Sequence, residues 1–179
     1  RITNVNVLGN DSSAVGFINV SSDKVIIEQS TIRGMDIGVV CKYCMLRSDS
    51  IYSNNKGING IVSASVIESN VIEHNRDYGI EVGDHATVIH RNTIAYNGRG
   101  INFVNSSGRD TCRVVNNTLV ANDSGFVFDG ASQGYSLVNN VVQSTVVDMA
   151  FSQTIAKLSY NLFGGTASFD YSGTEDVFY

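Results

Sequence analysis

The sequence predicts an all-β solenoid: a single-stranded parallel β-helix of about eight coils, with a period of about 19–25 residues. Three observations carry this. A six-residue pattern (apolar, variable, polar, Asn-like, variable, apolar) recurs at residues 27–32, 46–51, 67–72, 89–94, 114–119, 137–142 and 158–163. A glycine followed by period-two alternation recurs after it, at Gly38, Gly57, Gly79, Gly100 and Gly125. The chain of 179 residues contains no proline, whose missing N–H would break a bond between stacked coils.

The elements follow in order along one coil. The apolar residue that opens the six-residue pattern belongs to a short strand, because Val and Ile dominate and helical spacing never persists. The fourth position is Ser30, Asp49, Asn70, Asn92, Asn117, Asn140 and Asn161 in successive copies. Equivalent residues of a coiled stack lie above one another. An Asn amide at an inward turn can therefore accept from one neighbouring coil and donate to the other, and Asn tolerates left-handed backbone at such a turn. Asn70, Asn92, Asn117, Asn140 and Asn161 are thus expected to form a structural ladder, with Ser30 and Asp49 filling the slot less well. The glycine then opens a second strand, and two or three short strands per coil are expected. A period near 22 is too short for a propeller blade of about 40–45 residues, and the leucine-rich repeat pattern is absent.

Composition narrows the function classes. Charged residues are 16% of the chain, below the roughly 25% of an average domain, while 42% are hydrophobic, so a packed core is expected and disorder is not. A net charge of −5 argues against a nucleic-acid partner, which needs a basic face. No apolar run is long enough for a membrane span. Residues 1–179 read as one β-helix domain. The abrupt ends, Arg1 and Tyr179, create the expectation that the domain is a processed product or a piece of a longer rod.

The repeated Asn-x-Ile followed by Gly-Ile-x-Val resembles the right-handed parallel β-helix repeats of pectate-lyase-like proteins. That group holds polysaccharide lyases, hydrolases, C5-epimerases, periplasmic β-helix proteins and phage tailspikes. The resemblance covers nearly the whole chain. It implies a right-handed coil and an extracellular, cell-surface or periplasmic location.

Register sorts the outward residues. Two positions before the ladder lie Glu28, Arg47, Glu68, His90, Val115, Val138 and Ser159. A second outward stripe is expected at Val39, Asn59, Glu81, Asn102, Val127 and Asp148. Functional groups gather in the middle coils, where all three histidines, His74, His85 and His90, occur. An enzyme acting on uronic acids must neutralise a carboxylate, abstract a proton and, for a lyase, protonate the leaving oxygen. His90, His85, Tyr78 and Arg91 are the candidate catalytic residues. Glu68, Glu81, Arg76, Arg99 and Asn102 are the candidate substrate-binding residues, and Asp77 and Asp84 could offer oxygen ligands to calcium. Tyr78-Gly79-Ile80 and Asp84-His85 resemble the Tyr-Gly-Phe-Asp-Pro-His motif of alginate epimerases, without its proline and with extra residues between the halves. The competing reading of Glu28, Arg47 and Glu68 is an ion-pair ladder along the stack.

Cys41 and Cys44 have C-x-x-C spacing without a thioredoxin-like context, so a local disulfide or a pair of free thiols is expected; Cys112 is expected to be buried. Asn10, Asn19, Asn105, Asn116 and Asn122 head glycosylation sequons. A Thr slot at Thr31, Thr93 and Thr118 is interrupted by Ser50, Val71, Val141 and Leu162, which argues against ice binding. Val115, Val127, Val138, Val141 and Leu162 are expected to form an outward apolar side. Two functions follow: a carbohydrate-active or carbohydrate-binding β-helix for an acidic polysaccharide, or a structural rod that self-associates through its ends or apolar side.

Overall fold

The computed structural model describes residues 1–21, 23–62, 64–83, 86–104, 112–129, 134–151 and 156–164. The chain winds as a β-solenoid of about six turns, fewer than the eight coils expected because the terminal face A strands belong to incomplete coils, and every strand pairing among the described residues is parallel. Three faces run along it. Face A stacks Ile2–Thr3, Val25–Glu28, Cys44–Arg47, Val66–Glu68, Val88–His90, Cys112–Val115, Tyr135–Val138 and Ala156–Ser159 in that order. Face B stacks the first half of Thr31–Lys42, then Ser50–Tyr52, Val71–Glu73, Thr93–Ala95, Thr118–Val120, Val141–Gln143 and Leu162–Phe163. Face C stacks the second half of Thr31–Lys42, then Lys56–Val62, Tyr78–Val82, Arg99–Val104, Ser124–Asp129 and Val147–Phe151. Because Thr31–Lys42 runs through the corner unbroken, it joins faces B and C into one sheet, and Asn6–Asn19 pairs along its length.

The core is a stack of aligned aliphatic columns. Ile27, Leu46, Ile67, Ile89, Val114 and Leu137 are register partners on face A and essentially inaccessible to solvent. Ile32, Ile51, Ile72, Ile94, Leu119 and Val142 form the face B column. Toward one end the interior becomes aromatic: Phe103 stacks on Phe128 at 4.5 Å, and both meet Tyr135.

The Asn ladder stands at the corner between faces A and B. Ser30 N donates to Asp49 Oδ1 and Asp49 N to Asn70 Oδ1, each at 2.8 Å; the chain of bonds continues through Asn92, Asn117 and Asn140 to Asn161. Each amide also donates backward, as Asn92 Nδ2 does to Ile67 O at 2.9 Å. The left-handed residue is the one before the ladder position, not the ladder Asn itself. Gln29, Ser48, Ser69, Arg91, Asn116, Asn139 and Tyr160 all have φ between 53° and 58°. The turn spends its strained residue on an outward position and keeps the Asn in a geometry that aims its amide inward.

A second ladder occupies the corner between faces B and C. Asn54, Asn75, Asn97 and Asn122 are buried and linked by the same N–H and amide bonds, including Asn75 N to Asn97 Oδ1 at 3.0 Å. It explains the recurrent glycines. A Cβ built on Gly38, Gly57, Gly79, Gly100 or Gly125 would come within 3.0 Å of the carbonyl oxygen of the equivalent residue in the next coil. The second ladder and face C close together too tightly for any side chain there.

Three register expectations are corrected. Val39 faces the core, fully buried and paired with Ile58; Val40 takes the outward place beside Asn59. Asp148 is buried, accepting from Ser144 N, and Ala150 is the outward partner of Val127. The outward position is the second after the glycine, which is Val40 after Gly38, and Asp148 occupies the glycine's own slot opposite Gly125, so Ala150 is the equivalent of Val127. The apolar side also divides: Val115 and Val138 lie on face A, Val127 on face C, and Val141 and Leu162 on face B.

Candidate functional site

On face A the outward stripe carries two separate ion-pair groups, Arg1 with Glu28 and Arg47 with Glu68 beside His90, in place of the continuous ladder expected. Glu28, Arg47, Glu68, His90, Val115, Val138 and Ser159 are successive register partners. Arg1 pairs with Glu28 and holds its carboxyl below the ordinary range. Arg47 Nε and His90 Nε2 approach the same oxygen of Glu68, at 3.6 and 3.8 Å. Such cross-strand pairs contribute roughly 0.2–1 kcal/mol each. Arg91 is exposed at the adjoining corner with φ 58°.

On face C four of the residues expected from the sequence meet. Lys56, Tyr78 and Arg99 are register partners in successive coils, as are Glu81 and Asn102. Arg99 Nη1 donates to Asn102 Oδ1 at 3.2 Å and to Asp129 Oδ2 at 2.7 Å, and Asn102 Nδ2 donates to Glu81 Oε2 at 3.4 Å. Tyr78 is 2% exposed yet stands apart from the inner hydrophobic cluster. The Lys56 ammonium lies 5.4 Å from its ring centre. Its hydroxyl is enclosed near Glu81 without a hydrogen bond of ordinary geometry. Burial first, then the charges of Glu81 and Asp77, push that hydroxyl above its ordinary range. Tyr78 therefore stays protonated near neutral pH and can donate, which makes it unsuited to abstract a proton. Two cations (Lys56 and Arg99), two carboxylates (Glu81 and Asp129) and the buried amide of Asn102 share this face, a mixed polar set able to hold a hydroxyl-rich ligand.

The other expected residues go elsewhere. Glu68 and His90 are on face A, and Arg76 is exposed at the corner between faces B and C. Asp77 adjoins that corner, its N bonded to Asn55 O and its carbonyl accepting from Arg99 N. Asp84 and His85 lie outside the described residues. Sequence reasoning missed Lys56 and Asp129. Lys56 was legible, since it precedes Gly57 as Tyr78 precedes Gly79 and Arg99 precedes Gly100. Asp129 reaches Arg99 only because face C places the two strands side by side.

Thiol chemistry is closed off. Cys41 and Cys44 are joined in a disulfide. Cys112 is buried, and that burial pushes its thiol up to about 12. Among the described residues no three His, Cys, Asp or Glu side chains converge so as to hold a metal ion. No helix among them is long and apolar enough to cross a membrane.

Residues 1–176 match the family model described as periplasmic copper-binding protein (NosD). No curated protein matches the chain.

Proposed function

Because the chain belongs to the NosD family, we propose that it works in the periplasm or outside the cell, and that its face C cluster binds an acidic polysaccharide without cleaving it. The observation that carries this is the cluster itself. Lys56 and Arg99, the latter shared with Asp129, offer positive charge to a carboxylate, while Asn102 accepts from Arg99 and donates to Glu81 on the same face. Binding is favoured over catalysis because Tyr78 is buried and His90 stands apart from it on face A. The family match is to NosD, and it lends no support to a lyase or epimerase activity.

The family description also names copper. Copper sites gather several imidazole, thiolate or thioether donors at one point. Here the disulfide removes two thiols, Cys112 is a neutral buried thiol, and His74 and His90 lie on different parts of the coil. The described residues do not fit a copper centre, nor does Asp77 gain the further carboxylates a calcium cage requires.

The test is titration of the protein with oligomers of a polyuronate. Wild type should bind, and Arg99→Ala or Lys56→Ala should weaken binding about tenfold or more, since a charge-assisted hydrogen bond is worth roughly 1.5–3 kcal/mol. Unchanged affinity in both variants, or the appearance of unsaturated sugar products, would overturn the proposal.

A further inference from the structure

The corner between faces B and C carries a feature that the face C cluster does not use. The residues preceding the second Asn ladder form an outward column: Ser53, His74, Tyr96 and Ala121. All four are left-handed, with φ from 53° to 56°. For bulky side chains that backbone is costly, of order 1–3 kcal/mol. Yet the two aromatic members occupy neighbouring coils and stack with ring centres 4.9 Å apart and planes within 3°. Tyr96 is 57% exposed. Small side chains stand on either side of the pair, so each outer ring face looks onto open space.

That space is two clefts. The one on the His74 side has a volume of about 560 Å³ and is bordered by Gly34, Asp36, Asn55 and Arg76. The other, about 320 Å³, reaches from the pair toward Ala121 and is bordered by both rings, Arg76, Gly98 and Asp123. Both fall within the size range of small-ligand sites, roughly 300–1,000 Å³. The rims are polar and already oriented: Asp36 Oδ1 accepts from Asn55 Nδ2 at 2.9 Å, and Asp123 Oδ1 accepts from Thr145 Oγ1 at 3.3 Å. Arg76 forms no ion pair among the described residues.

We propose that this corner is a second saccharide-binding site, in which pyranose rings stack on the outer faces of the His74–Tyr96 pair and continue the column along the rod. A pyranose has an apolar C–H face for an aromatic ring and a hydroxyl edge for carboxylates and amides, which is what ring and rim supply. Successive coils lie about 4.8 Å apart, so one ring on each side extends the stack by a coil. A nucleic-acid base offers the same flat face, but its phosphates would meet Asp36 and Asp123 on a chain of net charge −5.

The test measures binding of a neutral β-glucan hexasaccharide, a polyuronate hexamer and a single-stranded oligothymidylate to wild type and to Tyr96→Ala, Tyr96→Phe, His74→Ala and Arg99→Ala. Tyr96→Ala and His74→Ala should weaken binding of at least one saccharide about tenfold, the scale of a lost aromatic contact. Tyr96→Phe should retain that binding, and circular dichroism should show every variant folded. Saccharide binding lost in Arg99→Ala and untouched in Tyr96→Ala would overturn the corner site and leave the face C proposal standing. The opposite pattern overturns the face C proposal alone. Absence of saccharide binding overturns both, and tighter binding of the oligothymidylate overturns the saccharide assignment of the corner.

Discussion

Asp49 is an acid in a column of amides. Its Oδ1 does what an Asn oxygen does, accepting from Ser30 N, but its Oδ2 is buried with no partner. In the coils beyond, the corresponding position is an NH2 group that donates to a main-chain carbonyl, as Asn70 Nδ2 does to Leu46 O. Burial accordingly pushes the Asp49 carboxyl from 3.8 up to about 6, against the pull of the Ser30 and Arg47 backbone bonds. The folded state holds this proton more tightly than the unfolded chain. Its stabilising contribution is complete below the unfolded value and is lost as pH rises through about 6. Asp49→Asn should therefore be more stable than wild type by about 2–3 kcal/mol near neutral pH, with the gap closing toward pH ~4. Urea denaturation of both proteins across that range measures it, and a gap independent of pH would contradict the assignment. The sequence shows that Asp49 departs from the ladder; that it is fully enclosed there, and so perturbed, is visible only in the packed stack.

At the scale of elements, the coil is held by two corners. The first ladder was legible because Asn recurs at a fixed place between apolar residues. The second was equally available: Asn54, Asn75, Asn97 and Asn122 each lie five residues after a first-ladder position. It was obscured because the segments between are short and the following glycines read as ordinary strand openers. Two substitutions test this corner. Asn97→Ala leaves Asn75 N and Asn75 Nδ2 without their acceptor and Ile72 O without its donor. With roughly 1–3 kcal/mol at stake for each buried unpaired group, the loss should be about 3 kcal/mol or more. In Gly100→Ala the new methyl would lie 2.7 Å from Gly125 O and 2.9 Å from Leu119 Cδ2, overpacking that should cost about 1–3 kcal/mol. Chemical denaturation of each variant gives the values. A neutral Gly100→Ala would mean that the coils can separate locally at this corner. The face A stripe, by contrast, was read correctly from spacing alone, because a three- or four-residue strand leaves no room for a register error. On face C the outward position is counted from a glycine, and Val39 and Asp148 were assigned to the wrong side because Val39 is one residue after Gly38, not two, and Asp148 itself stands in the glycine slot.

Across the whole molecule each coil touches its two neighbours and nothing more distant, so stability is a sum of local interfaces. Amides of the central coils, such as those of Val88–His90 and Thr93–Ala95, have paired strands on both sides. Those of Ile2–Thr3 have one. Native-state hydrogen exchange should be slowest in the central coils and should quicken toward both ends, and uniform protection would indicate all-or-none opening instead. The sequence by itself determined the solenoid, its period, the first ladder and the outward stripe of face A. All of these follow from side-chain type at regular spacing, because stacking places equivalent residues in contact. Only the tertiary structure decided which polar groups meet. Glu68 and His90 fall within the same stretch of chain as Tyr78 and Glu81, yet a turn of the coil sends the first pair to face A and the second to face C. Lys56, Arg99 and Asp129 come from three different coils to join the latter. The direction in which a side chain leaves the rod depends on turn geometry and bulges, and those are settled by packing against neighbouring coils.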